Sequence, residues 1–331
     1  MVCMQKFQLR AWGLVGLLGW SVAALASGHG SVPPLIDLEK EAEQNSHAVA
    51  THSKSHEKSK PAVTSHQAKP HSNTHQANKS THSKSTHAVH WSYSGEGGPS
   101  HWGDLDSKYQ MCKIGRNQSP VNLMDKTAVN TVGLPGFDVY YRDAPMKIIY
   151  NGHALQINYP LGSYISINGN RYELLQFHFH TPSEHQKNGF NYPMEMHIVH
   201  KDGQGNLAVI GILFQEGEEN EDLADIIRYL PKDTGKEHLH KYVKVNPVKF
   251  FPESKLFYKY SGSLTTPPCS EGVYWMVFKQ PVEASAEQLQ AMKALMGDNN
   301  RPVQPYFSRS ILKSWNGAPA AMDMMPLTPG Y

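Results

Sequence analysis

Long apolar runs are nearly absent from this 331-residue sequence. After residue 26 no segment reaches the roughly 20 predominantly apolar residues that a spanning helix needs, so the sequence offers no stable membrane span. Clusters of basic residues interleaved with aromatic or groove-entering elements are also missing, which argues against nucleic acid as a partner. The formal net charge is only +2. It vanishes once Lys6 and Arg10 are set aside, and residues 47–90 hold six lysines against the single acid Glu57, so the remainder is slightly acidic. Cysteine is scarce, with three in the chain. A structural zinc site closes all four positions, usually with cysteines, so a histidine cluster without cysteine points instead to a site with one position open.

What is present begins with an export pattern. Lys6 and Arg10 precede an apolar stretch over residues 11–26 that ends Ala24-Leu25-Ala26. This predicts a signal peptide over 1–26, cleaved after Ala26, and an exported protein, periplasmic or extracellular. An uncleaved anchor is the lesser alternative, because the stretch is short for a span. Residues 27–46 are acidic, and one short helix is expected over 35–43. Residues 47–90 hold nine of the nineteen histidines and no Leu, Ile, Met or aromatic residue. Such a segment cannot bury enough apolar surface to offset the entropy of ordering, so 27–89 is expected to be a disordered linker. It repeats itself: Thr51-His52-Ser53-Lys54-Ser55 recurs as Thr81-His82-Ser83-Lys84-Ser85. Two readings stand, a plain linker and an arm that captures zinc for a zinc-poor compartment. In the second, zinc scavenging or storage by the arm is the main function.

The motif that decides the chemistry is Gln176-Phe177-His178-Phe179-His180, followed by Glu195-Met196-His197. In an extended strand, alternate residues share a face, so Gln176, His178 and His180 fall on one side and Phe177 and Phe179 on the other. The second segment places Glu195, His197 and Val199 on one face and Met194, Met196 and Ile198 on its reverse. Two such strands side by side bring a third imidazole to the first two. A catalytic zinc takes three protein ligands and keeps the fourth position for water. An H-x-H pair on a strand is also what two ordinary satisfied or surface histidines look like. Gln176 and Glu195, placed to accept from ring nitrogens, favour the metal.

From residue 90 to residue 315 the chain resembles an α-carbonic anhydrase, through many separate motifs in the family's order. These are His90-Trp91-Ser92-Tyr93, Gly98-Pro99, His101-Trp102, Gln118-Ser119-Pro120-Val121, Asn151-Gly152-His153-Ala154, Ser183-Glu184-His185, and the two histidine segments. Leu207-Ala208-Val209-Ile210-Gly211, Tyr260-Ser261-Gly262-Ser263-Leu264-Thr265-Thr266-Pro267-Pro268, Trp275 and Arg301-Pro302-Val303-Gln304-Pro305 continue the match. The resemblance implies Zn2+ on His178, His180 and His197, with Gln176 and Glu195 orienting the ligands. It implies reversible hydration of carbon dioxide by a zinc-bound hydroxide, which Thr265 orients by accepting a hydrogen bond from it while its own O–H donates to Glu184. Val199, Val209, Leu264, Thr266 and Trp275 match the substrate pocket. His153 matches the proton shuttle. Tyr93, Asn151 and Gln156 match the groups that order water between metal and shuttle, although the family often has Asn where this chain has Gln156. That departure bears on the proton-transfer rate.

The resemblance also implies a disulfide between Cys112 and Cys269, the pair left once Cys3 is assigned to the export segment. In the chain-entropy model a loop of this length contributes about 5 kcal/mol as an upper figure. Cis peptide bonds are implied at Ser119-Pro120 and Pro267-Pro268. Alternating segments at 154–159, 164–167, 174–180, 194–200 and 207–214, separated by Gly, Asn and Pro turns, read as a mainly β domain (α+β). Helical patterns are confined to places such as 221–229 and 284–296. The family makes this one domain over 90–315: a large twisted central sheet, mixed but mainly antiparallel, with short peripheral helices, followed by a tail at 316–331. Expected partners are carbon dioxide, bicarbonate and water. A homodimer and further metal ions on the arm stay open.

Overall fold

Ten main strands, some alternating and the central ones nearly continuous in buried residues, form the sheet in the computed structural model, which describes residues 90–131 and 133–315. The expected signal peptide 1–26, the linker 27–89 with its helix over 35–43, and the tail 316–331 lie outside the described residues. In chain order the strands are β1 (Ala144–Tyr150), β2 (Leu155–Asn158), β3 (Tyr164–Ile167), β4 (Asn170–His180), β5 (Met194–Asp202), β6 (Leu207–Glu216), β7 (His238–Val245), β8 (Phe257–Ser263), β9 (Glu271–Phe278) and β10 (Val282–Ala284). They join one 13-stranded sheet in the order β7-β1-β2-β4-β5-β6-β9-β8, continued by Leu312–Lys313 and Val129–Asn130. Off this path, β3 lies between β4 and Phe137–Tyr140, and β10 pairs with β6. Pairing is parallel between β6 and β9, between β6 and β10, and at the Leu312–Lys313 edge, and antiparallel elsewhere in this sheet. The sheet is therefore mixed. A small second sheet joins Asn122–Leu123, Gln186–Lys187 and Phe190–Asn191.

Local chemistry explains where elements begin and end. Strand β4 starts four residues earlier than the alternation over 174–180 predicts. Asn168 and Gly169, at φ +52° and +80°, form a tight turn that pairs Ile167 with Asn170. Asn-Gly tolerates two positive φ angles and so makes the two-residue hairpin that matches strand twist. The predicted helix over 284–296 runs as α4 (Ala286–Met296), after α1 (Trp102–Leu105), α2 (Met111–Ile114) and α3 (Glu221–Arg228). Its start is set by Ser285, whose side chain accepts from the Gln288 backbone while Gln288 reaches back to the Ser285 backbone. That reciprocal cap satisfies donors a helix start otherwise leaves unpaired. The expected cis bonds at Ser119-Pro120 and Pro267-Pro268 are present, with a third at Thr181-Pro182.

The two sheet faces divide the labour. Phe177, Phe179, Met194, Met196, Ile198, Ile210, Ile212 and Phe214 are buried with Leu223 and Ile226 of α3 and Leu289 and Met292 of α4. The opposite face carries the histidines and a second cluster that includes Val199, Val209, Leu264 and Trp275. Phe177 meets Phe179, Phe250 and Tyr159 through ring contacts of 6.1–6.4 Å. It thereby fixes from below the strand that presents His178 above. Phe177→Ala should lower stability by about 3–5 kcal/mol through lost burial and an unfilled cavity. Urea unfolding would show this as a lower midpoint at unchanged slope.

Candidate active site

Strand register brings the three histidines together. His197 of β5 lies directly opposite His178 of β4, and Glu195 opposite His180. The ring centroids are 4.7–5.2 Å apart. Three ligand nitrogens, one from each ring, lie within 4.8 Å of one another. His180 and His197 are buried, while His178 keeps partial solvent contact.

Hydrogen bonds decide which nitrogen of each ring points inward. His178 Nδ1 donates to Gln176 Oε1 at 2.9 Å, and His180 Nδ1 donates to the Asn299 carbonyl at 2.7 Å. His197 Nε2 lies 2.9 Å from Glu195 Oε1, a close ion-pair contact without hydrogen-bond alignment. With the outer nitrogens carrying protons, the bare lone pairs are Nε2 of His178, Nε2 of His180 and Nδ1 of His197. His180 Nε2 is buried and has no protein hydrogen-bond partner. An orphaned buried acceptor costs free energy unless something meets it, so this donor set fits a cation. Burial, then the neighbouring rings of His180 and His197, hold His178 well below the usual imidazole range. Burial lowers His180 as well, against the pull of Glu184. Both rings therefore favour the neutral form that a zinc site requires, whereas His197 is raised, because burial is outweighed there by the Glu195 and Glu184 carboxylates.

Glu195 does more than orient one ring. Its Oε2 accepts the backbone N–H groups of Glu184 at 2.9 Å and His185 at 2.8 Å, and its Oε1 accepts His185 Nδ1 at 2.7 Å. Burial alone would raise its pKa, yet the His185 and His197 rings hold it well below the carboxylate range. His185 Nε2 continues to the Tyr260 hydroxyl at 2.7 Å, which hydrogen-bonds Ser119 Oγ at 2.9 Å. Ser119 Oγ accepts the Ser263 N–H, and Ser263 Oγ accepts the Ser119 N–H. The strand bearing His197 is thus tied to the loop bearing Thr265. Gly211 lies opposite His197, and a Cβ there would come within 3.0 Å of Glu195 Oε1. A side chain there would press on the carboxylate and on Val277, which would have to give by a few tenths of an ångström.

Glu184 and Thr265 are both buried, but among the described residues no hydrogen bond joins them. Glu184 Oε1 accepts the Arg301 N–H at 2.9 Å. Its Oε2 is without a hydrogen-bond partner, 3.5 Å from His180 Nε2 and 3.8 Å from His197 Nδ1. The loop carrying Thr265 and Thr266 is closed by the Cys112–Cys269 disulfide, with Cα atoms 5.0 Å apart. Gln118 Nε2 donates to the Cys269 carbonyl, and Arg301 donates to the Cys112 carbonyl, to Ser119 and to Gln118. Burial brings that guanidinium down to about 10, opposed by Glu184. The apolar residues form a row parallel to the metal row: Val199 pairs with Val209, and Val209 with Trp275. Leu264 packs in the same cluster.

His153 is partly buried at the end of the turn before β2. Its ring stacks on Trp91 at 3.6 Å, with Tyr93 edge-on at 6.3 Å. Burial, then His90, brings its pKa down to about 4. Asn151, expected among the water-ordering groups, uses its Oδ1 to accept the N–H groups of His153 and Ala154. It therefore builds the turn that holds His153. Gln156 lies opposite His178 and donates to Asn158 Oδ1 at 2.6 Å. Asn299, Arg301, His185 and Tyr260 received no role from sequence. Asn299 gave no signal, because it lies 119 positions from the ring it holds. His185 and Arg301 stood inside motifs of the resemblance, where their partners were invisible.

A model of the eukaryotic-type carbonic anhydrase family matches residues 97–315. Carbonic anhydrases of Pectobacterium carotovorum and Klebsiella pneumoniae are 40% and 42% identical over 229 and 230 residues, which is 69% and 68% of this chain and 92% of each relative. The solved α-carbonic anhydrase of Thermovibrio ammonificans, in complex with the inhibitor sulfanilamide, is 48% identical with a TM-score of 0.65, over 67% of this chain and 98% of that one. The stretch that builds the three-histidine cluster and its supports is the stretch these relatives share, and the chain belongs to the eukaryotic-type carbonic anhydrase family.

Proposed function

We propose that this site carries out the reversible hydration of carbon dioxide to bicarbonate and a proton, with Zn2+ held by His178 and His180 through Nε2 and by His197 through Nδ1. The observation that carries the reading is the convergence of three bare ring nitrogens beside an apolar row. Bound there, zinc supplies a Lewis acid that lowers the pKa of water to about 7, the value characteristic of carbonic anhydrases as a class.

The chain's own residues do the rest. Gln176 Oε1, the Asn299 carbonyl and Glu195 Oε1 keep protons on the outward nitrogens, so the inward lone pairs stay free. Val199, Val209, Leu264 and Trp275 form a berth from which water is excluded, suited to an uncharged substrate that makes few hydrogen bonds. Glu184 Oε2 is the acceptor for the Thr265 hydroxyl proton, which leaves the Thr265 oxygen free to accept and so to aim the nucleophile. Thr266 borders the same berth. His153 takes the proton released by hydration, with Tyr93, Asn151 and Gln156 ordering the water path.

Export to the periplasm or the extracellular space is the proposed localisation. It is supported by the residue pattern over 1–26 and by the disulfide, since disulfides persist in oxidising compartments. Zinc capture by residues 47–90 is a second reading, favoured by their nine histidines.

Removal of metal by a strong chelator should abolish hydration in a stopped-flow assay, and one equivalent of zinc should restore it. Full turnover by metal-free protein would refute the proposal. Val209→Phe should fill the berth and slow hydration by on the order of 100-fold, an effect of about 2.7 kcal/mol on the barrier. Metal analysis of that variant should still find one zinc per chain. Deletion of residues 47–89 should leave hydration unchanged in excess zinc while calorimetry records fewer bound metal ions. Equal stoichiometry with and without the segment would end the capture reading.

A further inference from the structure

His90 is the first described residue of the domain, at the point where the histidine-rich segment reaches it. Its ring centroid is 5.3 Å from that of His153, and the two planes lie within 4° of parallel. His153 lies in turn on Trp91, and the three planes agree to within 16°. The two histidines differ in exposure: His153 is partly buried and His90 is exposed. His90 Nδ1 lies 2.9 Å from the Trp91 carbonyl, which keeps a proton on Nδ1 and leaves Nε2 as the exchangeable nitrogen. The backbone of His153 is held from two sides, by Asn151 Oδ1 at its N–H and by Asn299 Nδ2 at its carbonyl. The pairing of the rings is therefore built into the fold.

We propose that His90 is a second proton-transfer residue, the outer member of a His153–His90 relay that delivers the proton of hydration to solvent buffer. This rests on the reading of His153 as the inner shuttle. Ring nitrogens donate and accept in the plane of the ring, so transfer between stacked rings runs through water. An N–H bond of His153 breaks as an Nε2–H bond forms on His90, which then gives that proton to a buffer base. Among the described residues, the titratable groups whose rings face His153 are His90 and Tyr93, and His90 is the neighbour whose charge shifts it. A charge on either imidazole disfavours a charge on the other, so the pair carries one proton at a time. With burial and His90 together bringing it down to about 4, His153 is a poor resting place for a proton at neutral pH and passes it outward.

The test uses the full-length zinc-loaded protein and the variants His90→Ala, His153→Ala and the double variant, assayed in a dilute, bulky buffer with and without added imidazole. His90→Ala should lower kcat several-fold in dilute buffer and leave kcat/KM unchanged, because proton export follows the step that kcat/KM reports. Added imidazole should restore kcat. The inflection of kcat that belongs to His153 should move up from about 4, because one of the two causes of its depression is gone. The double variant should be no slower than His153→Ala alone, as steps in series require. Undiminished kcat for His90→Ala in dilute buffer overturns the relay, as does a joint fall of kcat and kcat/KM without rescue by imidazole. If His153→Ala itself keeps full kcat, the inner shuttle fails and the relay with it. If His153→Ala is slow and His90→Ala is not, the relay alone fails.

Discussion

The Glu195 carboxylate is the constraint on which the site depends. It is fully buried and ionised, and it accepts from two backbone amides and from His185, with the His197 ring at hydrogen-bond distance. A buried carboxylate with fewer partners costs several kcal/mol, so its neighbours cannot drift independently. The backbone at Glu184 and His185 is drawn to β5, His197 is turned to present Nδ1, and His185 is aimed at Tyr260. Through Tyr260, Ser119 and Ser263 the same network reaches the loop of Thr265. One buried charge thus holds the His197 ring, the backbone at Glu184 and, through Tyr260, the loop of Thr265.

The sheet supplies what hydrogen bonds cannot, a fixed spacing between unlike rows. Cross-strand neighbours place His178, His197 and Gly211 in one row, and Gln176, Val199, Val209 and Trp275 in the next row on the same face. A step of two positions along each strand separates them, so a histidine row and a mainly apolar row stand side by side with no loop between. The reverse face is packed with aromatic and branched side chains that leave the strands little freedom to slip. A one-residue slip would turn every ligand into the core, and the cost of that burial specifies the register.

Trp91 provides a flat support for His153, and Asn151 and Asn299 hold its backbone. The Asn299 carbonyl also accepts from His180 Nδ1, so the turn that carries His153 and the His180 ring share one residue as a support. The position of His153 is therefore coupled to that of the His180 ring through the side chain and the carbonyl of Asn299.

The sequence determined the strand faces, the triple of histidines and the polar partners Gln176 and Glu195, because a period of two is local and needs no knowledge of what lies opposite. It also located β3 to β6 and both longer helices to within a few residues at most ends. The start of β4 was the exception, because hairpin pairing rather than alternation sets it. The tertiary structure alone decided which nitrogen of each ring faces inward, since that depends on acceptors as distant in the chain as Asn299. It alone decided that Asn151 serves the turn, that Glu184 Oε2 is left unpartnered beside the rings, and that Arg301 braces the disulfide loop. Burial and hydrogen bonding between remote segments arise only when the sheet closes, and no residue pattern encodes their distances.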